Sequence, residues 1–176
     1  MLTRQPMRGF TLVELLIGIT VLGILLTLGA PSFMVWMQNT QIRTAADAVL
    51  NGLQLARTEA IRRNKTVQFA LGNQTEWTVS VVNPQQQLQY RPMDEGSANA
   101  VVQISPGGST TVTFDALGGR TSNNDASSAI DTVDITSATA SSGVRPLRIV
   151  ITPSGSLRMC DPDVNLAAGD PRRCTQ

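Results

Sequence analysis

The 176-residue sequence contains no histidine, and only 4% of its residues are aromatic and 15% are charged. Without histidine the chain lacks the commonest general base, the usual metal ligand and every nucleophile that depends on an imidazole. Its acidic pairs, such as Asp161 and Asp163, lie in polar stretches where carboxylates usually form turns. Its glycine turns lack the context of a phosphate-binding loop or a nucleophile elbow. We therefore expect no enzyme, no catalytic residue, no metal and no cofactor.

An excess of charge of one sign is also missing, because 14 basic and 13 acidic residues leave a net charge of +1. This balance favours neither nucleic acid nor an acidic partner, so an electrostatic function needs a local patch. Cysteine is scarce: Cys160 and Cys174 are too few for a structural zinc site. If the domain is exported, a disulfide between them closes a loop of about 15 residues and contributes roughly 3 kcal/mol. Two free thiols are the alternative.

What the sequence does contain is one long apolar run from Phe10 to Ala30, in which Glu14 is the one charged residue. As a helix this run measures about 31 Å, which is enough to cross the core of a bilayer. Arg4 and Arg8 precede it, so by the positive-inside rule the short head stays cytoplasmic and the rest is exported. A charged side chain in lipid costs roughly 2.5–3.5 kcal/mol. Glu14 therefore needs a partner or a function.

The segment "RGFTLVELL" around Glu14 resembles the N-terminus of type IV prepilins and of type II secretion pseudopilins. By that resemblance, prepilin peptidase cuts between Gly9 and Phe10, and the new Phe10 amine is methylated. Glu14 then meets the N-terminal amine of a neighbouring subunit during assembly, which makes the carboxylate tolerable in a bundle of low dielectric. A single-pass anchor with an incidental glutamate is the competing interpretation. A secretory signal fits less well, since its apolar region is typically about 7–15 residues.

Beyond the run, Pro31 predicts a kink if the helix continues. Apolar residues then recur every three or four positions up to Asn64, which predicts an amphipathic helix with one buried stripe. Residues 65–176 hold short, β-branched, often alternating segments separated by Gly, Pro, Asn and Ser, which predict an antiparallel sheet. Within them, the Ser/Thr/Ala-rich stretch 121–142 is expected to be exposed loop or edge structure.

We accordingly expect an α+β fold of the type IV pilin kind, with a long N-terminal helix packed on a C-terminal antiparallel β domain. The predicted parts are a prepilin leader, a transmembrane and filament-packing helix, its amphipathic continuation and a periplasmic β-rich domain. In the same order, their boundaries are 1–9, 10–30, 31–64 and 65–176.

Three segments carry a second resemblance, namely "LQLARTEAIRRN" (53–64), "VTFDALGGRTS" (112–122) and "RPLRIVITPSGSLRMC" (145–160). They are similar to the GspH/FimT/FimU group of minor pilins. The resemblance implies a minor pilin that enters a type IV pilus at low copy number and helps to initiate its assembly, at or near the tip. A minor pseudopilin of a type II secretion system is the close alternative.

A minor pilin that binds DNA for uptake in natural transformation is a further alternative, because some FimT-like proteins bind DNA through a C-terminal "GRxR" motif. The matching segment here is "GSLR" at 155–158, in which Ser156 replaces the first arginine. Arg158, Arg172 and Arg173 are the candidate contacts to double-stranded DNA. So few cations give weak, salt-dependent binding without sequence preference. Pairing of these arginines with nearby aspartates is the competing interpretation.

The resemblance also implies partners and a location. The expected partners are other minor pilins, the major pilin, prepilin peptidase and the inner-membrane assembly platform. The expected location is the inner membrane, as a single-pass protein with its C-terminal domain in the periplasm. After assembly the chain would lie in a pilus or pseudopilus at the cell surface.

Overall fold

A computed structural model describes residues 9–93, 95–139, 142–167 and 169–174. Within these residues, one long helix, α1 (Leu12–Arg63), precedes nine strands in two antiparallel sheets. The strands are β1 (Val67–Leu71), β2 (Trp77–Val81), β3 (Gln86–Arg91), β4 (Ala100–Ser105), β5 (Thr111–Phe114), β6 (Arg120–Thr121), β7 (Thr132–Ser137), β8 (Leu147–Ile151) and β9 (Leu157–Cys160).

The two ends of α1 are set by local chemistry. Thr11 is the N-cap, and its hydroxyl oxygen accepts a hydrogen bond from the backbone N–H of Glu14 at 3.2 Å. At the other end Asn64 adopts a left-handed conformation with φ 52°, and its backbone N–H bonds back to carbonyls of the last turn. Arg62 and Arg63 in that turn complement the negative end of the helix dipole.

The C-terminal half of α1 buries one apolar stripe between the two sheets. The stripe repeats every three or four residues and consists of Ile42, Ala45, Ala46, Val49, Leu53, Ala56 and Ala60, each at most 1% exposed. The sheets have the strand orders β3-β2-β1-β5-β6 and β4-β7-β8-β9, and α1 contacts strands of both. Burial of each large side chain in this core contributes about 1.5–3 kcal/mol, so the helix and the sheets stabilise one another.

Gly52 lies on this stripe at the point where two aromatic rings rest on the helix. The ring centroids of Phe69 and Trp77 are 5.9 Å apart. A Cβ atom on Gly52 would lie 2.8 Å from Phe69 Cε2 and 2.9 Å from Trp77 Cε2. Glycine in a helix interior is unfavourable by about 1 kcal/mol relative to alanine, but here it admits the aromatic pair that anchors β1 and β2.

The predicted fold class is confirmed: a long N-terminal helix packs on antiparallel sheet structure. Two details of the prediction were wrong. There are two sheets and not one, and the stretch 121–142 is not simply loop or edge, because β7 lies inside the second sheet between β4 and β8. Ile130, Val133 and Ile135 are fully buried there. The alternation of Val133 and Ile135 with Thr132, Asp134 and Thr136 was among the patterns that predicted strands. The prediction missed only that this strand lies inside a sheet, because local alternation does not identify the partners of a strand.

The apolar half of α1 extends beyond the β domain. Its segments Leu12–Thr27 and Ser32–Arg63 are bent by 45° with respect to each other. No helix of the described residues is alone long and apolar enough to cross a membrane, but the two bent segments pass together on length and composition. The bend occurs where Pro31 was predicted to kink the helix, and Pro31 as its cause stays a prediction.

Candidate functional site

The N-terminal end of α1 carries the residues expected to act in processing and assembly. Gly9 and Phe10 precede the helix in non-helical backbone, and Phe10 is 82% exposed. Both residues are thus exposed and lie outside the helix, as a cleavage site between them requires. The rest of the predicted leader, residues 1–8, lies outside the described residues.

Glu14 occupies the first turn of α1, where a carboxylate is favourable because it faces the positive end of the helix dipole. Its side chain is exposed, and no ion pair to it is found within the described part of the chain. Among the described residues the carboxylate thus has no ion-pair partner, which is compatible with the assembly hypothesis.

Thr11 is a functional candidate that the sequence analysis missed. Its hydroxyl caps the helix by accepting from the Glu14 N–H. "TLVE", residues 11–14, has the threonine-to-glutamate spacing of a capping box, which is a recognisable start signal for a helix. Glu14 therefore has a structural role available beside its proposed role in assembly, and an experiment has to separate the two.

Large apolar side chains surround the helix from its first residue to the start of the β domain. These exposed residues are Phe10, Leu12, Val13, Leu15, Leu16, Ile17, Ile19, Val21, Leu22, Ile24, Leu25, Leu26, Phe33, Met34, Trp36 and Met37. An apolar surface of this extent marks contact with a membrane or with other protein.

Asn39 fixes the β domain to α1 just beyond this surface. Its side-chain amide donates to the carbonyl of Gly143 at 3.0 Å, and its Oδ1 accepts from the backbone N–H of Arg145 at 2.8 Å. The two bonds attach the segment that leads into β8 to the helix. Local sequence patterns contain no signal for this contact, since the partners are more than a hundred residues apart.

The disulfide between Cys160 and Cys174 is present, with Cα atoms 5.0 Å apart. It closes the C-terminal loop onto the end of β9. Inside the loop, the N–H of Asp161 donates to the Arg172 carbonyl at 2.7 Å, and the N–H of Cys174 donates to the Asp161 carbonyl at 3.2 Å. The chain thus returns beside β9 and is held there by backbone bonds as well as by the cross-link.

The position of this disulfide loop follows from strand direction. β8 begins beside Asn39, and β9 runs antiparallel to it, with Arg148 opposite Cys160. β9 therefore ends at the edge of the domain where α1 enters. A shallow groove of about 430 Å³ lies between the loop and the start of β8, and its charged lining residues are Arg145, Asp161, Asp163 and Arg172.

The three arginines proposed for DNA contact differ in environment. Arg172 forms a two-point ion pair with Asp170, at 2.7 and 3.0 Å, and these bonds lower the pKa of Asp170 to about 2. Arg158 donates to the carbonyl of Arg173 at 3.1 Å, so the structure brings these two residues together. For Arg172, pairing with an aspartate is the interpretation that the structure supports.

Two further arginines, Arg145 and Arg148, lie near these candidates and add to the charge of this face of the domain. Arg148, on β8, pairs with Asp134 on β7 at 2.6 and 2.7 Å. By contrast, no ion pair to Arg145 or Arg173 is found over the described ranges. The face therefore presents paired and unpaired cations beside the carboxylates of Asp161 and Asp163.

At the end of the domain away from the disulfide loop, two of the segments that resemble the minor-pilin group, 112–122 and 145–160, lie against each other. The turn between β5 and β6 and the turn between β8 and β9 touch backbone to backbone, and the Arg120 N–H donates to the Pro153 carbonyl at 3.0 Å. Arg57, on α1, donates to the Gly118 carbonyl at 3.0 Å. Asp115 shapes the first turn by accepting from the N–H groups of Leu117 and Gly119, both at 2.9 Å.

Gly155 has no room for a side chain at this junction. A Cβ atom there would lie 1.8 Å from the carbonyl oxygen of Gly118, and the φ of Gly155 is +77°. Both the close approach and the left-handed backbone require glycine. The "GGR" and "PSG" parts of the resembling segments therefore join the end of α1 to both sheets.

Comparison with known proteins gives two family matches. Residues 45–155 match the family described as "Type II transport protein GspH", and residues 4–30 match the "Prokaryotic N-terminal methylation motif". Two curated relatives, both described as "Fimbrial protein" from Pseudomonas aeruginosa, are 28% identical over 151 residues, covering 85% of this chain and 90% of theirs.

Among solved structures, the type IV minor pilin FimU of Pseudomonas aeruginosa matches with a TM-score of 0.51. The match covers 70% of this chain and 91% of that chain at 15% identity, so it shows the shared fold alone. The GspH match, which spans more than half of the sequence, shows the family. The chain belongs to the GspH family and is a pilin-like minor pilin or pseudopilin.

Proposed function

We propose that this chain is a minor pilin that enters a type IV pilus at low copy number and helps to initiate its assembly, at or near the tip. Pilins of this family and fold are non-enzymatic structural proteins. The observation that carries the proposal is the exposed apolar half of α1, which holds Glu14, a residue with no ion pair to any other described residue. In a filament, neighbouring helices would bury these exposed apolar side chains.

The choice of a pilus over a type II secretion pseudopilus has partial support from the relatives. The family model carries a type II transport description, whereas both curated relatives are described as fimbrial and the solved structure is a type IV minor pilin. The pseudopilus therefore remains the alternative function. The proposed partners are the major pilin, other minor pilins, prepilin peptidase and the assembly platform, with the subunit held in the inner membrane and its β domain in the periplasm before assembly.

Blocking the leader cleavage tests this proposal directly. In the host cell, Gly9→Val is expected to leave the whole population as a larger, uncut form, because the β-branched side chain obstructs the peptide bond that the peptidase must reach. The uncut form should be absent from sheared pili, while the wild-type chain appears there in its shorter form. Immunoblots of whole cells and of the sheared fraction measure both.

Gly107→Val is the matched control, since a Cβ at Gly107 meets nothing within 4 Å and lies far from the cleavage site. It should be cut and incorporated like the wild type. Deletion of the chain then separates the two filament systems. Loss of pili supports the proposal, and loss of protein secretion with normal pili assigns the chain to the pseudopilus.

DNA binding is a second candidate function, favoured by the unpaired cations of Arg145 and Arg173 and by the contact of Arg158 with Arg173. If it holds, the affinity of the purified chain for double-stranded DNA should fall with salt, with a log–log slope of about −2 to −3 for two or three phosphate contacts. The double variant Arg145→Ala/Arg173→Ala should remove most of this binding. Fluorescence anisotropy of labelled DNA across a salt series measures it.

The double variant Asp170→Asn/Arg172→Ala is the informative control for this experiment. Because it removes a neutral ion pair and leaves the net charge unchanged, it should bind nearly as well as the wild type. An equal loss in both variants would show that the whole loop, rather than its unpaired cations, contacts DNA. No binding at low salt would leave these arginines as surface charge.

A further inference from the structure

Between the apolar run and the β domain, α1 has two faces of different character. Phe33, Trp36 and Met37 recur at the i, i+3, i+4 spacing of a single helix face and are 55%, 63% and 43% exposed. We call these three residues the aromatic collar. On the other side of the helix, Asn39 bonds to the β domain and Ile42 is buried in it. The collar therefore continues the apolar surface only on the side that faces away from the domain.

The two aromatic side chains of the collar pack on each other and form an exposed apolar surface. The ring centroids of Phe33 and Trp36 are 5.7 Å apart with an interplanar angle of 34°. Because their packing restricts both rings, these side chains lose little conformational entropy when they contact another surface. Trp36 also keeps an indole N–H for a polar neighbour, which makes it suited to a boundary between an apolar and a wet region.

The order of residue types along this part of α1 is that of a membrane–water interface. No charged residue occurs between Glu14 and Arg43. The apolar run is followed by the aromatic collar, then by the uncharged polar residues at 38–41, and only then by Arg43. Tryptophan and other aromatic residues concentrate at the headgroup level of bilayers, between the hydrocarbon and the first charges.

The depth of the collar agrees with this order. Trp36 follows Ala30 by six residues, or about 9 Å along a straight helix. The 45° bend between the two helix segments shortens this to about 6 Å along the axis of the first segment. Helical side chains also point back toward the N-terminus. Each interfacial layer of a bilayer is about 5–7 Å thick, so the rings reach this layer.

We propose that the aromatic collar lies in the lipid headgroup layer of the membrane while the subunit awaits assembly, and that it sets the height of the β domain above the membrane. The proposal rests on the proposed function, in that the subunit is held in a membrane before it enters a filament. Because Asn39 ties the domain to α1 immediately beyond the collar, the disulfide loop is then presented close to the headgroups.

Quenching of tryptophan fluorescence by brominated lipids tests the depth of Trp36. The full chain is reconstituted at high lipid excess into vesicles of phosphatidylcholine and phosphatidylglycerol, with bromine placed either near the glycerol or near the end of the acyl chain. Trp36 and Trp77 are the two tryptophans, and Trp77 is only 3% exposed in the core. The difference between wild type and Trp36→Phe therefore reports Trp36 alone, without disturbing the core.

We expect the Trp36 signal to be quenched at least about twofold more by bromine near the glycerol than by bromine near the chain end, with the Trp77 signal of Trp36→Phe unaffected. Equal spectra for wild type and variant, or stronger quenching by the deep bromine, overturn the proposal. A Trp36 signal that neither lipid quenches means that a second copy covers the collar, and also overturns it. Flotation of the vesicles is read first: a chain that does not float with them contradicts the proposed membrane-held subunit itself.

Discussion

Gly155→Ala is expected to lower the free energy of unfolding by at least about 3 kcal/mol, the largest effect that we predict for any single residue of the β domain. A Cβ atom at this position would lie 1.8 Å from the carbonyl oxygen of Gly118 and 2.9 Å from its carbonyl carbon. Both atoms belong to backbone, so no side-chain rotation relieves the overlap. The two turns must separate, and separation breaks the hydrogen bond between Arg120 and Pro153.

The contribution of the backbone conformation can be measured apart from that of the overlap. Gly108 has φ +85°, close to the +77° of Gly155, but a Cβ there would meet nothing within 4 Å. Gly108→Ala should therefore show only the left-handed penalty of about 1–2 kcal/mol. Urea unfolding of the purified full-length chains in detergent, followed through the emission of buried Trp77, compares the two. Similar losses of unfolding free energy in both variants would mean that the close contact between the two turns does not contribute to the cost of Gly155→Ala.

The contact between these turns explains in physical terms why glycine occupies positions 118 and 155, which lie in two of the segments that resemble other minor pilins. Gly118 accepts a hydrogen bond from Arg57, and its own missing Cβ leaves space for Ile61. Gly155 then packs on Gly118 from the second sheet. The end of α1 and both sheets thus meet at two glycines, and a side chain on Gly155 would force the two turns apart.

Local pattern predicted the elements of this fold better than it predicted their contacts. The apolar stripe from Ile42 to Ala60 specified the buried face of α1, because helical spacing alone determines which residues share a face. The "TLVE" capping box, although the sequence analysis missed it, was readable in the same way, since its two members are three residues apart. The division of the strands into two sheets was not, because local alternation does not identify the partner of a strand.

The candidate sites divide in the same way. Pairing of Arg172 with Asp170 is a local contact between residues two apart, and it appeared in the sequence analysis as the competing interpretation. The attachment of Asn39 to Gly143 and Arg145 joins distant parts of the chain, and a polar residue in a helix gives no hint of such partners. The location of the disulfide loop beside α1 depends on that attachment and on strand direction, so it too emerged only with the structure.

Glu14→Ala is expected to leave cleavage at Gly9 intact but to reduce incorporation into sheared filaments at least about tenfold. Removal of one partner of a buried ion pair destabilises by about 3–5 kcal/mol, and 1.4 kcal/mol already corresponds to a factor of ten. In the assembly hypothesis that pair joins Glu14 to the N-terminal amine of Phe10 in a neighbouring subunit. The ratio of the chain in sheared pili to the cut chain in membranes, measured by quantitative immunoblot, reports the effect.

The capping box makes Ala alone an ambiguous test, because loss of Glu14 could also fray the first turn of α1. Glu14→Gln resolves this, since glutamine suits the last position of a capping box but carries no charge. Thr11→Ala is its counterpart: it removes the hydroxyl that accepts from the Glu14 N–H, at about 1 kcal/mol, and keeps the carboxylate. If charge pairing drives assembly, Gln fails like Ala and Thr11→Ala is incorporated. If capping is the role, Gln is incorporated and Thr11→Ala fails, which would remove the reason for a carboxylate within an apolar helix.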